Sequence, residues 1–256
     1  MRIKIIKKEF VLTLEDNART SLKHGIYHYL RYIKRKSNRN DLKFAIVHIF
    51  HAIELYLKAR LVQESPLLIY SNPENPINDD SHTVQFKALL GRLGNAGVDF
   101  KQHRPVLENL QRIRNRIEHH KVKSTVSEIK DYLAKAAKFL DIFLAAELRI
   151  ELKDVLKGGD YLILKDLIYS YEERLAKAKS EIGEIVGCGK EALDATIYVC
   201  PDCYTETVLF GDNGKPHCYF CGEDLLHAKC LRCGEPLFGV PEDGFCEVCS
   251  EYILNQ

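Results

Sequence analysis

The stretch "DLKFAIVHIFHAIELYLKARLVQE", residues 41–64, decides the fold of the first part of the chain. Apolar side chains recur in it every three or four positions, the spacing that places them on one side of an α-helix. These residues are Phe44, Val47, Phe50, Ile53, Leu57 and Leu61. We therefore predict a long helix over residues 41–64 that lies at the centre of a hydrophobic core.

Helical and loop patterns flank this stretch. Residues 16–37 predict a first helix, and residues 83–93 predict a short helix that stops at the glycines following it. Residues 65–82, between the central and the short helix, hold three prolines among Asn, Asp and Ser, which is typical of a long loop. Residues 1–15 fit either a strand or a frayed helix, and both remain open.

Two more helices are predicted after the loop. One begins at Pro105, because proline is favoured at the first helical position, and its apolar residues are Val106, Leu110, Ile113 and Ile117. The other follows Thr125-x-x-Glu128, a capping-box pattern, and extends to about residue 147. Antiparallel helices joined by modest loops form bundles. We predict a mainly α-helical protein whose residues 1–148 form an antiparallel helical bundle.

Composition separates the rest of the chain from this bundle. Residues 149–194 predict a charged helical connector, interrupted by Gly158 and Gly159. All nine cysteines lie at or after Cys188, and residues 195–256 form a cysteine-rich third segment. Cys188 stands apart from the other eight, and we interpret it as a small hinge residue rather than a ligand.

Charge and hydropathy narrow the classes of function. The 256 residues include 37 Lys and Arg against 36 Asp and Glu, and a net charge of +1 produces no global basic field for nucleic acid. No stretch approaches the roughly 18 consecutive apolar residues of a membrane helix. The first ten residues are charged throughout and lack the apolar core of a secretory signal, so we expect a cytoplasmic protein.

Eight cysteines form four Cys-x-x-Cys pairs. In a reducing cytosol this pattern indicates metal thiolates rather than disulfides. The pairs are Cys200 and Cys203, Cys218 and Cys221, Cys230 and Cys233, and Cys246 and Cys249. Two such pairs facing each other across a short hairpin supply the tetrahedron of thiolates that zinc prefers, and these sites are closed and structural. We predict two structural Zn²⁺ sites and small β-hairpin modules.

The pairing of the four Cys-x-x-Cys units is open between two arrangements. Sequential pairing gives one site of Cys200, Cys203, Cys218 and Cys221 and another of Cys230, Cys233, Cys246 and Cys249. Interleaved pairing is the alternative, although the short link between Cys221 and Cys230 suits the sequential one. The segment resembles double zinc ribbons over about its last sixty residues. Its aromatic residues Tyr204, Tyr219 and Phe220 either stack on nucleic-acid bases or fill the small core.

The stretch "RIRNRIEHH", residues 112–120, closes the helix that begins at Pro105. Cations near a helix C-terminus interact favourably with the helix dipole, so a structural role is one interpretation. On an ideal helix Asn115 and His119 share the face opposite the apolar stripe, and His120 lies closest to the core. Arg114 and His119 lie about 140° apart on this helix, so they converge poorly within one chain.

Arg114, Asn115 and His119 match the Arg-Asn-x-x-x-His form of the Arg-x(4–6)-His motif of HEPN domains. The segment "HAIELYLKARL", residues 51–61, also resembles the second helix of that family. The resemblance covers residues 16–147. It implies a compact helical bundle that dimerises, so that two motif helices meet in one composite cleft. Arginine from one copy and histidine from the other then act together.

The resemblance further implies a metal-independent endoribonuclease in a toxin–antitoxin, phage-defence or RNA-processing system. A histidine such as His119 exchanges a proton with the ribose 2′-OH or the leaving 5′-oxygen. Arg114 donates to the phosphoryl oxygens, and Asn115 orients the phosphate or the histidine. Glu54 matches an acidic position that pairs with the motif arginine in some members, or it forms an ordinary helix pair with Lys58. The expected products carry 2′,3′-cyclic phosphate and 5′-OH ends.

The predicted function is therefore a homodimeric endoribonuclease whose zinc ribbons bind RNA or a protein partner such as an antitoxin. Residues 104–123 hold six Lys and Arg against two Asp and Glu, a local patch suited to phosphate. The alternatives are a non-catalytic dimeric interaction protein and a regulator that binds nucleic acid through its zinc ribbons. Histidines at positions 24, 28, 48 and 51 recur at helical spacing and offer a metal site, but histidines among Ile, Phe and Tyr are more often packed.

Overall fold

The computed structural model describes residues 11–35, 39–78, 80–100, 103–119, 124–188, 196–211, 213–238 and 244–254. The chain divides into two compact units, Met1–Ile168, the helical unit, and Tyr169–Gln256, the cysteine-rich unit. The helical unit is built of helices, and the cysteine-rich unit adds small antiparallel strands. In these ranges no helix has the length and apolar character needed to cross a membrane.

The predicted helices are present in the helical unit. They are α1 (Leu14–Arg35), α2 (Arg39–Glu64), α3 (Phe86–Asn95), α4 (Arg104–His119), α5 (Val126–Phe143) and α6 (Leu152–Val155), with a 3₁₀ turn at Pro66–Ile69 and a π turn at Leu144–Leu148. Helix α7 (Gly159–Cys188) begins in this unit. The predicted connector, residues 149–194, is thus divided between the two units. Leu152, Val155 and Leu164 are buried in the core of the helical unit. Residues 1–10 and 189–195 lie outside the described residues.

Helix α2 is the centre of the helical unit, as its sequence predicts. It packs against α1, α3, α4 and α5. Ile53, Leu57 and Leu61 are fully buried. Phe44, expected in the core, is instead 42% exposed, and its ring contacts that of His28.

Gly25 lets α1 and α2 approach each other closely. A Cβ atom at this position would lie 2.5 Å from Cγ1 of Ile49 and 3.2 Å from the carbonyl oxygen of Ala45. Ala18, Ala45 and Ile49 are buried in the same core. The pair of helices therefore depends on the missing side chain of Gly25 for its spacing.

The ends of α3 and α5 are held by specific polar contacts. The backbone N–H of Glu128 donates to Oγ1 of Thr125 at 3.2 Å, and that of Thr125 donates to Oε2 of Glu128 at 2.7 Å, which confirms the predicted capping box. Arg92 on α3 donates to the carbonyl oxygens of Leu68, Tyr70 and Ser71. Arg92 thus fastens the long loop after α2 to the helical unit.

The cysteine-rich unit contains two small modules. Strands β1 (Tyr198–Val199), β2 (Glu206–Phe210) and β3 (Pro216–Cys218) form an antiparallel sheet in that order. Strands β4 (His227–Lys229) and β5 (Pro236–Phe238) form an antiparallel pair, and helix α8 (Glu247–Leu254) follows. The first module has the predicted hairpin of β2 and β3. In the second module β5 pairs with β4, a strand that precedes its first Cys-x-x-Cys unit.

Candidate functional site

The core-facing side of α4 fixes which of its polar residues face outward. Leu107, Leu110 and Ile113 are buried, whereas Val106 and Ile117 of the predicted stripe are half-buried. Leu107 was not in that stripe, although it lies one turn before Leu110 on the same side. The opposite side exposes polar residues, among them Arg112, Asn115 and Arg116. Helix α4 therefore packs its apolar side against the core and exposes Asn115 of the motif to solvent.

Arg114 and Asn115 of the motif are in direct contact. Nη1 of Arg114 donates to Oδ1 of Asn115 at 3.0 Å, and Nε of Arg114 lies 2.7 Å from Oε2 of Glu118. Glu118 stands four residues after Arg114, the spacing of a helix ion pair. These contacts hold the guanidinium along α4, and 34% of the Arg114 side chain is exposed.

Glu54 has a different ion partner from the motif arginine. Oε1 of Glu54 accepts from Nζ of Lys58 at 2.7 Å, and Nζ also donates to Oγ1 of Thr83 at 3.1 Å. Of the two roles weighed for Glu54, the structure contains the helix pair with Lys58. Lys58 is 7% exposed, and its contact with Thr83 also fastens the segment before α3 to α2.

His119 ends α4, and its side chain lies outside the described part of the structure. His120 lies outside the described residues altogether. On the helical backbone position 119 lies five residues after Arg114, which corresponds to about 140° around the helix axis. The contribution of His119 to the site stays a prediction.

His51 on α2, which the sequence offers only as a metal ligand, contacts α1. Its Nδ1 lies 3.2 Å from Oγ of Ser21 on α1. Partial burial lowers the pKa of His51, and the neighbouring charges of Glu54, Lys58, Arg114 and Glu118 also act on it. The sequence already places His51 on the same side of α2 as Glu54, because the two residues are three positions apart.

The other histidines of α1 and α2 form a packed cluster. The ring of His48 lies 5.6 Å from that of His24 and 5.8 Å from that of His28, measured between centroids. Nδ1 of His28 lies 2.8 Å from Oδ1 of the buried Asp41. The rings of His28 and His48 are parallel within 2°, so their in-plane lone pairs do not aim at one ion. Among the described residues, groups of three or more metal-ligand atoms within 4.8 Å of each other are formed by cysteines alone.

The eight paired cysteines form two quartets in the sequential arrangement. The first quartet is Cys200, Cys203, Cys218 and Cys221, and the second quartet is Cys230, Cys233, Cys246 and Cys249. The Sγ atoms of Cys203 and Cys218 are 3.6 Å apart, and those of Cys233 and Cys246 are 3.7 Å apart. Four thiolates around zinc at about 2.3 Å require sulfur–sulfur distances of about 3.8 Å. Both quartets therefore have a geometry that can hold zinc.

Nothing matches this chain among family models, curated proteins or solved structures. The resemblances to HEPN domains and to double zinc ribbons rest on the residues named in the sequence.

Hydrogen bonds to sulfur favour the thiolate form that a metal requires. In the first quartet Oγ1 of Thr205 lies 3.0 Å from Sγ of Cys203, and Oγ1 of Thr207 lies 3.3 Å from Sγ of Cys218. In the second quartet the backbone N–H of Cys233, chiefly, lowers the pKa of Cys230 to about 6. A thiol with a lowered pKa releases its proton more readily on metal binding.

The turns of the Cys-x-x-Cys units are called knuckles below, and a residue with positive φ directly follows three of them. Gly222 and Gly234 have φ values of 78° and 76°, and their backbone N–H groups donate to the carbonyl oxygens of Cys218 and Cys230. Glycine adopts this conformation at no steric cost. In the first knuckle Tyr204, with φ of 54°, takes the same place and donates to the carbonyl oxygen of Cys200. This conformation is uncommon for a residue that has a Cβ atom.

The aromatic residues beside the knuckles differ in their surroundings. Phe220 packs against the cluster of Cys200, Val208 and Cys218 and contacts the ring of Tyr171 at 5.3 Å. The core-filling interpretation therefore applies to Phe220. Tyr219 contacts the ring of His217 at 5.0 Å and is half-buried. Stacking of Tyr204 or Tyr219 on bases stays a prediction.

Proposed function

We propose that this protein is a metal-independent endoribonuclease of the HEPN type that acts as a homodimer. The observation that carries the proposal is the solvent-facing contact of Arg114 with Asn115 on a packed helix that ends at His119. The position of α4 against the central helix α2 supports the resemblance of residues 16–147 to that family. The exposed arginines of the same helix support binding of a phosphate backbone.

The chemistry follows from the residue types. The ribose 2′-OH loses its proton to an imidazole, and the 2′-oxygen forms a bond to phosphorus. The bond from phosphorus to the 5′-oxygen breaks, and that oxygen takes a proton from an acid such as His119. Arg114 donates hydrogen bonds to the phosphoryl oxygens as negative charge builds on them. The products are a 2′,3′-cyclic phosphate and a 5′-OH, and DNA, which lacks the 2′-OH, is not cleaved by this route.

A dimer solves the geometric difficulty of the motif. Positions 114 and 119 lie about 140° apart around an ideal helix, so we do not expect one α4 to present both residues to a single phosphate. Two copies of α4 related by a two-fold axis bring Arg114 of one copy next to His119 of the other. RNA is then held between two exposed helix faces.

We also propose that both quartets bind structural Zn²⁺ and that the cysteine-rich unit recruits RNA or a protein partner. The sulfur–sulfur distances of 3.6 to 3.8 Å support the metal assignment. A toxin or phage-defence role, with an antitoxin or another protein as regulator, follows from the family resemblance. In that role the nuclease is held inactive until its trigger appears.

The test is a cleavage assay with purified, zinc-loaded protein on a mixture of tRNA and mRNA without added Mg²⁺. We expect product ends with 2′,3′-cyclic phosphate, and losses of about 10²- to 10³-fold for Arg114→Ala. For His119→Ala we expect losses of about 10²- to 10⁴-fold. Arg19→Ala, which removes an exposed arginine of α1, is the control and should retain most of the activity. Intact RNA from a folded, dimeric wild-type protein would reject the nuclease.

A second candidate function is a non-catalytic RNA-binding or interaction protein. The ion pair of Arg114 with Glu118 favours it, because such a pair also occurs on purely structural helices. In this case RNA binding weakens steeply with salt, and no cleavage accompanies it. Arg114→Ala would then change the binding constant without changing the RNA ends.

A further inference from the structure

Five aromatic rings of α1 and α2 form a continuous patch on the helical unit, called the ring surface below. The ring centroid of His28 lies 5.5 Å from that of Tyr27 and 5.1 Å from that of Phe44. The ring of His48 lies 5.8 Å from that of His28 and 5.6 Å from that of His24. Tyr27 is 55% exposed and Phe44 is 42% exposed. A contiguous exposed patch of this kind marks an interaction site, whereas single exposed apolar residues need no explanation.

A buried carboxylate holds part of the ring surface in position. Nδ1 of His28 lies 2.8 Å from Oδ1 of Asp41, and Nε of Arg31 lies 3.7 Å from the same oxygen. The guanidinium carbon of Arg31 also lies 5.7 Å from the ring centroid of Tyr27. Asp41 therefore fixes an imidazole and a guanidinium beside the exposed rings. A surface ordered in advance loses little side-chain freedom when a ligand binds.

The helical segments that carry the ring surface are strongly basic. Residues 23–34 and 39–48 hold five Lys and Arg against one acidic residue, Asp41, which is buried. The cations are Lys23, Arg31, Lys34, Arg39 and Lys43. All of them are exposed except Arg31, which is half-buried. Because the whole chain carries a net charge of only +1, these cations form a local positive patch that favours an anionic ligand.

We propose that the ring surface binds single-stranded RNA, with bases stacked on Tyr27 and Phe44 and phosphates paired with the surrounding Lys and Arg. Every base has a flat face that stacks on an aromatic ring, and neighbouring cations then meet the backbone phosphates. The choice of RNA over DNA rests on the proposed nuclease function. The ring surface contains no residue of the motif on α4, so it contributes affinity for RNA and takes no part in the cleavage chemistry.

Two other occupants fit the ring surface less well. In a homodimer with a two-fold axis the same patch would face itself, so the Lys and Arg of both copies would oppose each other. A nucleic-acid duplex presents its phosphates but keeps its bases within the stack, so Tyr27 and Phe44 would have no partner. Single-stranded RNA satisfies both the rings and the cations.

The test measures binding of zinc-loaded protein to a fluorescent 2′-O-methyl oligoadenylate of about 12 nucleotides. This probe keeps the bases and phosphates but cannot be cleaved through its 2′-oxygen. We expect Tyr27→Ala and Phe44→Ala each to raise the Kd about 5- to 100-fold, the contribution of one stacked base. Tyr27→Phe keeps the ring and should bind as the wild type does. Ile142→Ala is the matched control, because Ile142 is 44% exposed and lies on α5.

A second arm separates stacking from attraction of charge. Lys43→Gln should lower the slope of log Kd against log salt by about 0.7, because one phosphate contact is lost. Lys130→Gln, which removes an exposed lysine of α5, should leave that slope unchanged. An abasic oligomer of the same length and charge should compete poorly for the protein. Equal competition by the abasic oligomer would show that the surface recognises charge alone and would overturn the stacking.

Two results with the alanine variants would also overturn the inference. The first is a Kd for Tyr27→Ala and Phe44→Ala equal to that of Ile142→Ala. The second is dissociation of a wild-type dimer into monomers in both variants, measured by analytical ultracentrifugation, because the ring surface would then be the dimer interface. Circular dichroism establishes that each variant is folded.

The ring surface and the nuclease fail in distinguishable ways. If the wild type binds the probe through Tyr27 and Phe44 but leaves natural RNA intact, the ring surface stands and the nuclease is rejected. If the wild type produces cyclic-phosphate ends and both alanine variants keep its Kd for the probe and its KM for RNA, the nuclease stands and the ring surface is rejected.

Discussion

At the residue scale, the ion pair of Arg114 with Glu118 affects both the stability of α4 and the proposed chemistry. A partly exposed pair at this spacing contributes only about 0.3–0.5 kcal/mol to stability. Its larger effect falls on the arginine, whose Nε is directed along the helix and toward Glu118. A phosphate that binds Arg114 must share the guanidinium with that carboxylate.

Replacing Glu118 by Gln should therefore strengthen RNA binding. We expect the Kd for single-stranded RNA to fall a fewfold, while the melting temperature changes little. Glu108→Gln is the matched control, because Glu108 forms an equivalent pair with Arg104 on the same helix. Filter binding at several salt concentrations measures the effect. Equal changes in both variants would show that only the net charge of α4 matters.

His48 should make the stability of the helical unit depend on pH. Burial and the neighbouring histidines at positions 24, 28 and 51 lower its pKa below the ordinary value of 6.5. The unfolded chain therefore binds a proton at a higher pH than the folded chain does, and the free energy of unfolding rises with pH across this window. The stabilisation is present above about pH 6.5 and is lost as the pH falls through the folded pKa.

We expect His48→Gln to reduce the difference in unfolding free energy between pH 5 and pH 7.5. Urea denaturation of the wild type and the variant at both pH values measures it. The comparison cancels the pH dependence of the cysteine-rich unit, which both proteins share. If the variant shows the same pH dependence as the wild type, His48 is not the source of that pH dependence.

At the scale of elements, the contact of α1 with α2 depends on one glycine. Gly25→Ala would place a Cβ atom 2.5 Å from Cγ1 of Ile49, so one helix must shift. Overpacking of this kind costs about 1–3 kcal/mol. Urea denaturation should register the loss.

Gly91→Ala is the control for this substitution. Gly91 lies within α3 and would meet no atom within 4 Å of a new Cβ. Alanine there should stabilise the helix by about 0.5–1 kcal/mol. If both substitutions stabilise the protein, the helices do not pack as closely at Gly25 as the structure indicates.

At the scale of the whole molecule, the two units have hydrophobic cores of very different size. The helical unit buries an extensive apolar core from α1 to the start of α7. Each module of the cysteine-rich unit has a core of only a few buried residues, and two of these are cysteines in each module. We expect a unit with so small a core to need the proposed zinc ions for its folding.

Removal of zinc should therefore unfold the cysteine-rich unit while the helical unit remains folded. We expect two zinc ions per wild-type chain by elemental analysis and one per chain in Cys218→Ser or Cys249→Ser. Cys188→Ser is the control and should retain two zinc ions, because Cys188 belongs to none of the four Cys-x-x-Cys units. After chelation, NMR should lose the dispersed signals of residues 196–254 and keep those of the helical unit. Simultaneous unfolding of both units would contradict this division.

The amino-acid sequence by itself determined the features that depend on local spacing. Helical periodicity, the capping box at Thr125 and Glu128, and the four Cys-x-x-Cys units predict the helices, one helix end and the ligands. Each of these signals lies within a few residues, and the short link from Cys221 to Cys230 already favoured the sequential quartets.

Only the tertiary structure decided which distant side chains meet. It placed Phe44 at the surface, paired β5 with β4, and brought His51 of α2 within 3.2 Å of Ser21 of α1. No local pattern contains this information, because it depends on how closely two helices approach and at what rotation about their axes. Gly25 shows the reason most directly: its importance comes from a backbone 20 residues or more away in the chain, at Ala45 and Ile49.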